Sequence, residues 1–300
     1  MESRYRFHES GRDDMNKRTA CIVKMWPHKG LFDCYSTALT NIDYCLLHGY
    51  VPRYDFTHFI YQDETNKKDP WGTWFEMKEL YEDPYEIEDQ TELVLGYSEC
   101  ESDPSYELLI RISNKFIEDN ETILKINNLT DYIKVRKEFI DIADDYVEKH
   151  FSGKKVTGVH IRHTDYFKTQ LRFHYTKRDR GVFTFEEYVD IMKQDSADMF
   201  YIATDAHDNI QKMRFIKELK GRFLYNDFTR SMGTYPIHRK CIEYGLDPVK
   251  LGTEVILDTL ILSRCDKLIG TCSNIPQTAL FWNPSLPFVN IAQMVERQTL

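Results

Sequence analysis

Val156-Thr-Gly-Val-His-Ile-Arg-His-Thr-Asp165 is the stretch whose reading decides the fold. Its apolar run closes on His160, Arg162, His163 and Asp165, within six positions of one another. In open α/β sheets, ligands bind just beyond the carboxyl ends of strands, so a strand that ends this way predicts a site. A buried strand followed by a solvated polar loop is the plain competitor, and this segment alone does not separate the two.

The residues that follow add charge. Six Lys/Arg (Arg162, Lys168, Arg172, Lys177, Arg178, Arg180) stand against Asp165 and Asp179 between His160 and Arg180. The whole chain of 300 residues carries a net charge of −9, which argues against nucleic acid as a partner, because phosphate affinity needs clustered cations. A basic loop on an acidic protein suits a small anion such as a nucleotide diphosphate.

Seven cysteines without a CxxC pair read as reduced thiols, so a cytoplasmic location is expected. Residues 1–18 are polar and lack the apolar core of a signal peptide. No apolar run reaches the length of a membrane span, so no membrane span is expected.

Outward from the central stretch, the second half alternates strands and helices. Strands are predicted at 156–161, 199–203, 223–225, 267–270 and 287–290, and helices at 185–193, 208–220, 254–263 and 277–282. This pattern is that of a parallel, Rossmann-like sheet. The first half opens with a strand at 21–26, a helix from about Asp33 to His48 stopped by Gly49, and a strand at 51–56, which is a βαβ unit. The acidic stretch 76–107 reads as loop and exposed helix, and 120–149 as long helix. Trp71-Gly-Thr-Trp74-Phe75 could stack on a sugar, although core packing is the commoner fate of such residues. The division expected is a flexible tail at 1–18, an α/β domain at 19–152 and a second at 153–300.

Polar residues should gather where the strands of the second half end: His160, Arg162 and Asp165, then Thr204 and Asp205, then Thr271, Ser273 and Asn274. There is no GxGxxG after a strand and no GxxxxGK[ST], so dinucleotide and P-loop chemistry are not indicated. No Asp-x-Asp pair is present to hold a divalent cation against a diphosphate. No metal or other cofactor is therefore expected, and Arg with backbone N–H groups would neutralise the diphosphate.

In that order, these motifs resemble the GDP-fucose-dependent fucosyltransferase superfamily. Gly158–Asp165 resembles its H-x-R-x-x-D motif, Glu186-Glu-Tyr188 the E-E-Y that opens the next helix, and Phe200–Asp205 the V-Y-L-A-T-D strand end. Val255-Ile-Leu-Asp258 resembles the helix whose Asp binds guanine, and Gly270–Asn274 the phosphate-binding turn. The resemblance covers about residues 156–282. It implies a GT-B-like α/β fold with two Rossmann-like domains facing across a cleft: an acceptor-side domain at 19–152 and a nucleotide-sugar-binding domain at 153–300.

The activity implied is an inverting, metal-independent glycosyltransferase. It would move a sugar, fucose favoured, from a nucleotide-diphosphate sugar to an oligosaccharide or glycoprotein acceptor. Arg162, His160 and Asp165 would be catalytic. Arg162 would bridge the β-phosphate, and His160 would contact the nucleotide or its ribose. Thr204, Asp205, Asp258, Thr271, Ser273 and Asn274 would bind the donor, with Asp258 at the base edge.

The chain departs from the family at His163, where the α1,6 enzymes carry a second Arg, at Tyr166 in place of Lys, and in the extra segment 168–180. These departures leave the donor open between GDP-fucose and another nucleotide sugar such as UDP-xylose. The general base stays open among Asp165, Asp33 and Asp63. A non-catalytic nucleotide-sugar or glycan-binding module is the alternative of another class. A hydrolase using His160 and Asp165 ranks last, because no nucleophile or metal set accompanies them.

Overall fold

The computed structural model describes residues 17–25, 29–81, 86–91, 119–164, 183–233, 235–240, 243–291 and 294. β1 (Lys17–Lys24), α1 (Leu31–His48) and β2 (Val51–Asp55) form the expected βαβ unit, with Ala20 opposite Val51 and Lys24 opposite Asp55. β3 (Phe75–Met77) and β4 (Glu86–Thr91) follow. β4 joins the other edge of β1, giving a parallel sheet of order β2-β1-β4.

This placement changes two expectations. Lys17 and Arg18, read as the end of a tail, are strand residues opposite Glu86 and Ile87. The described part of the acidic stretch includes two strands, because the free edge of β1 and the strand at 133–135 supply ladder partners for its backbone.

The long helix read across 120–149 is broken. α2 (Asn120–Leu129) gives way to β5 (Ile133–Val135), and α3 (Lys137–Phe151) begins beyond it. Ile133 and Val135 are β-branched, point inward on either side of the exposed Lys134, and pair antiparallel with β3. Period-two burial against a partner strand outweighs the helical spacing of the neighbours here.

The second half forms the parallel sheet β10-β9-β6-β7-β8, as expected. Its elements are β6 (Val156–Ile161), α4 (Phe185–Gln194), β7 (Met199–Thr204), α5 (His207–Met213) and β8 (Phe223–Leu224), then α6 (Pro248–Ser263), β9 (Lys267–Gly270), α7 (Asn274–Trp282) and β10 (Phe288–Asn290). α6 starts six residues earlier than its apolar run suggested. Asp247 accepts the Lys250 N–H at 2.9 Å and Pro248 occupies the first turn, which together begin a helix. α5 stops at Met213, where tighter bonds such as Phe215 N–H to the Lys212 carbonyl (3.0 Å) take over.

β6 is buried on both faces. Val156 shares a core with residues of α3 and α6, while Val159 and Ile161 share one with residues of α4 and α5. A Cβ on Gly158 would stand 2.8 Å from Leu262, so its absence lets α6 lie close on β6.

The first of these cores continues into the N-terminal half. Trp282 donates to the Tyr35 hydroxyl at 3.1 Å, the Asn127 amide to the Phe281 carbonyl at 2.6 Å, and Trp74 to Thr253 at 3.0 Å. Trp71 and Trp74 are buried in that core, packed with Phe56, Phe59 and Phe75, so they offer no sugar-stacking face. Among the described residues, no helix is long and apolar enough to cross a membrane.

Candidate functional site

β6 lies between β7 and β9, so the residues just past the three strands share one edge about 5 Å apart from strand to strand. This brings His160 and Arg162, Thr204 and Asp205, and Thr271 with Ser273 and Asn274 to a common border. Asp165 and the basic run 168–180 lie outside the described residues.

Arg162 Nη1 stands 3.4 Å from Asp205 Oδ2, with both side chains mostly buried. Asp205 also accepts the His163 N–H at 3.0 Å and the Thr164 hydroxyl at 2.6 Å. Burial alone would raise its carboxyl pKa. The Arg162 charge, the His163 N–H and the Thr164 hydroxyl together hold it below the usual range. Asp205 is thus the anchor that fixes the turn after β6 and aims Arg162, and it does not cap α5. Thr204 is turned inward as well, its hydroxyl accepting from the Ala206 N–H at 3.3 Å and the Asn209 amide at 2.9 Å.

His163 stands where the sequence comparison expected a second cation. Its Nε2–H donates to the Phe183 carbonyl at 2.8 Å, and Nδ1 lies 2.9 Å from the Asn209 amide oxygen. The ring is a latch between the turn after β6, the start of α4 and α5. Asn209, to which sequence reasoning assigned nothing, completes the latch.

His160 is buried at the end of β6, and its Nδ1 has no hydrogen-bond partner. Burial pushes its pKa down to about 3; the Asp205 charge opposes this and Arg162 reinforces it, so the ring is neutral at working pH. Thr271, buried at the end of the adjacent β9, likewise has an unpartnered hydroxyl. Buried polar atoms normally find partners, so two unpartnered ones on neighbouring strand ends make this edge the candidate place for a polar ligand. Beyond Thr271, Ser273 precedes the first turn of α7 without a side-chain cap, and Asn274 begins the helix, leaving first-turn N–H groups of the kind that bind anions.

Asp258 lies elsewhere. It sits on α6 and accepts a hydrogen bond from the Tyr201 hydroxyl, which in turn accepts from the Asn226 amide at 2.8 Å. Tyr201 is three residues short of the end of β7, about 10 Å below the edge. Burial, reinforced by the Glu254 charge, pushes the Asp258 pKa up to about 7 against the opposing effects of Tyr201, Arg230 and Asn226.

Of the other carboxylates weighed as a base, Asp33 is ion-paired with Lys29 at 2.9 Å. Asp63 holds an exposed turn through the Thr65 N–H and hydroxyl.

The family model for Hsp90 protein matches residues 112–225, less than half of the chain. That match ends inside the five-stranded sheet, before α6 and β9, and so marks no folding unit. Solved structures match over nearly the whole chain. NodZ alpha-1,6-fucosyltransferase co-crystallized with GDP has a TM-score of 0.55 at 14% identity, covering 91% of this chain and 94% of that one. Se-Met fucosyltransferase NodZ from Bradyrhizobium has a TM-score of 0.53 at 15% identity, covering 91% and 94%. POFUT1 in its apo-form has a TM-score of 0.50 at 12% identity, covering 94% and 99%. The chain shares the α/β, GT-B-like fold of these proteins.

Proposed function

We propose that this chain is an inverting glycosyltransferase that transfers a sugar, fucose favoured, from a nucleoside-diphosphate donor to a glycan acceptor without a metal. The observation that carries the reading is Arg162, oriented by Asp205 at the carboxyl edge of β6 beside the unpartnered His160 Nδ1 and Thr271 hydroxyl. The fold shared with a NodZ structure co-crystallized with GDP supports it.

In this reading the diphosphate lies across the edge. Arg162 holds it by charge-assisted hydrogen bonds, and the first turn of α7 adds N–H donors. As the bond from sugar to phosphate breaks, negative charge grows on the leaving oxygen, and a guanidinium that stays charged at every working pH stabilises it. Neutral His160 offers a hydrogen bond rather than a charge. Asp258, below the edge, accepts from the base.

A calorimetric panel of GDP, UDP, GDP-fucose and UDP-xylose tests the reading. Binding of a GDP-linked donor is expected. Binding of none removes the glycosyltransferase assignment, and preference for UDP removes fucose while leaving the rest.

His163 favours a second reading, a non-catalytic nucleotide-sugar module. With that ring locked by Phe183 and Asn209, the position of the family's second Arg is occupied by a side chain turned into the fold and not toward the leaving group. Donor binding without turnover against a panel of glycan acceptors would select this reading.

A further inference from the structure

The segment 225–231 after β8 was given no role by the sequence. It is sewn to the end of β7: the Ser231 N–H donates to the Asp205 carbonyl at 2.9 Å, and the Ser231 carbonyl accepts from the His207 N–H at 3.0 Å. Buried Glu254 on α6 accepts the Thr229 N–H at 2.9 Å. Arg230 is therefore fixed between the strand end that carries Asp205 and the helix that carries Asp258.

The Arg230 guanidinium donates to the carbonyls of Phe228 at 2.9 Å and Asn226 at 2.6 Å, and lies 5.6 Å from the Tyr225 ring centroid. Its Nε is buried without a partner, and among the described residues no carboxylate comes within ion-pair distance. Asn226 links this group to Tyr201 and so to Asp258, whose pKa the Arg230 charge helps to lower. A guanidinium and a carboxylate thus share one polar cluster without closing on each other. Both keep capacity for a third group that offers an acceptor and a donor side by side.

We propose that Arg230 reads the base of the nucleoside diphosphate, donating to a ring carbonyl while Asp258 accepts from the N–H beside it. This rests on the nucleotide-sugar reading above. Guanine presents one carbonyl oxygen next to a ring N–H and an amine, an order that matches one guanidinium beside one carboxylate. Uracil flanks its single N–H with two carbonyls, and adenine has none.

Calorimetry on the full chain tests this with GDP, inorganic pyrophosphate and the 5′-diphosphate of 2-aminopurine riboside, which lacks both the carbonyl and the ring N–H beside it. Arg230→Gln is expected to weaken GDP about tenfold or more while leaving pyrophosphate and the 2-aminopurine nucleotide within about twofold. Arg230→Lys keeps the charge but loses the planar fork, so it should weaken GDP selectively too, and it decides the matter if the Gln variant does not fold. Equal losses for GDP and pyrophosphate would overturn the inference, as would retained GDP affinity. Wild-type protein that binds no nucleoside diphosphate removes the parent reading as well, whereas wild type that binds GDP equally with both variants removes the Arg230 inference alone.

Discussion

Two regions of this chain draw attention by composition, and the fold treats them oppositely. The aromatic run around Trp71 and Trp74 is sealed inside the core, with Tyr35, Phe59 and Phe75 against it. The polar run after β6 stays at the sheet edge, with Arg162 braced by Asp205 and two buried polar atoms left without partners. An unusual density of side chains is therefore no guide to a site by itself. Place relative to a strand's carboxyl end is the better guide, because there the backbone ladder ends and side chains can turn toward a ligand.

If that contrast holds, mutations in the two regions should separate stability from binding. Trp74→Ala removes a fully buried indole and its bond to Thr253, and should cost about 3–5 kcal/mol in chemical denaturation. The fraction that remains folded should keep its GDP affinity. Gly252→Val, whose Cβ would sit 2.5 Å from the Trp74 ring, should cost about 1–3 kcal/mol by overpacking, again without a selective effect on binding.

At the edge, Asp205→Ala should destabilise the fold by about 1–3 kcal/mol, because the His163 and Thr164 donors lose their acceptor. It should also weaken GDP by misplacing Arg162. A variant that loses stability but binds GDP as wild type would break the claim that Asp205 aims Arg162.

Acid should reach the edge through His160. Its folded pKa of about 3 lies below the ordinary 6.5, so the unfolded chain takes up the proton first. Its contribution to stability is complete above pH 6.5 and falls as pH drops toward 3, by at most about 1.4 kcal/mol per pH unit. Between pH 7 and 4 the denaturation midpoint of wild type should fall relative to that of His160→Gln.

Asp258 runs the other way. A folded pKa of about 7 against an ordinary 3.8 means that its contribution to stability is complete below 3.8 and is lost as pH rises through 7. Its base-accepting form grows over the same rise. GDP affinity should increase between pH 6 and 8 by no more than about tenfold, the smallest effect in the series. A flat profile would remove the carboxylate from base recognition.

Much of the architecture could be read in advance where hydrophobic period and strand-end chemistry agreed, as at Val156–Ile161 and Met199–Thr204. It failed where tertiary pairing decided the outcome. Ile133–Val135 and Glu86–Thr91 are strands only because β3 and β1 offer them edges, which no local pattern announces.

The candidate site was partly legible for a similar reason. Arg162, His160 and Thr271 follow apolar runs, and their gathering could be anticipated. The bracing role of Asp205 and the latch formed by His163 and Asn209 depend on contacts between residues 42 and 46 positions apart, and Arg230 meets Asp258 only through Asn226 and Tyr201. Asp247-Pro248 was a usable signal for the true start of α6.

The most direct test of the central claim is a calorimetric titration of GDP into wild type and Arg162→Ala, with thermal unfolding of both recorded without ligand. The account expects wild type to bind, the variant to lose about tenfold to a hundredfold in affinity, and the fold to survive with a lowered Tm, because Asp205 loses its cationic partner. Undiminished GDP affinity in Arg162→Ala, with the fold intact, would contradict it.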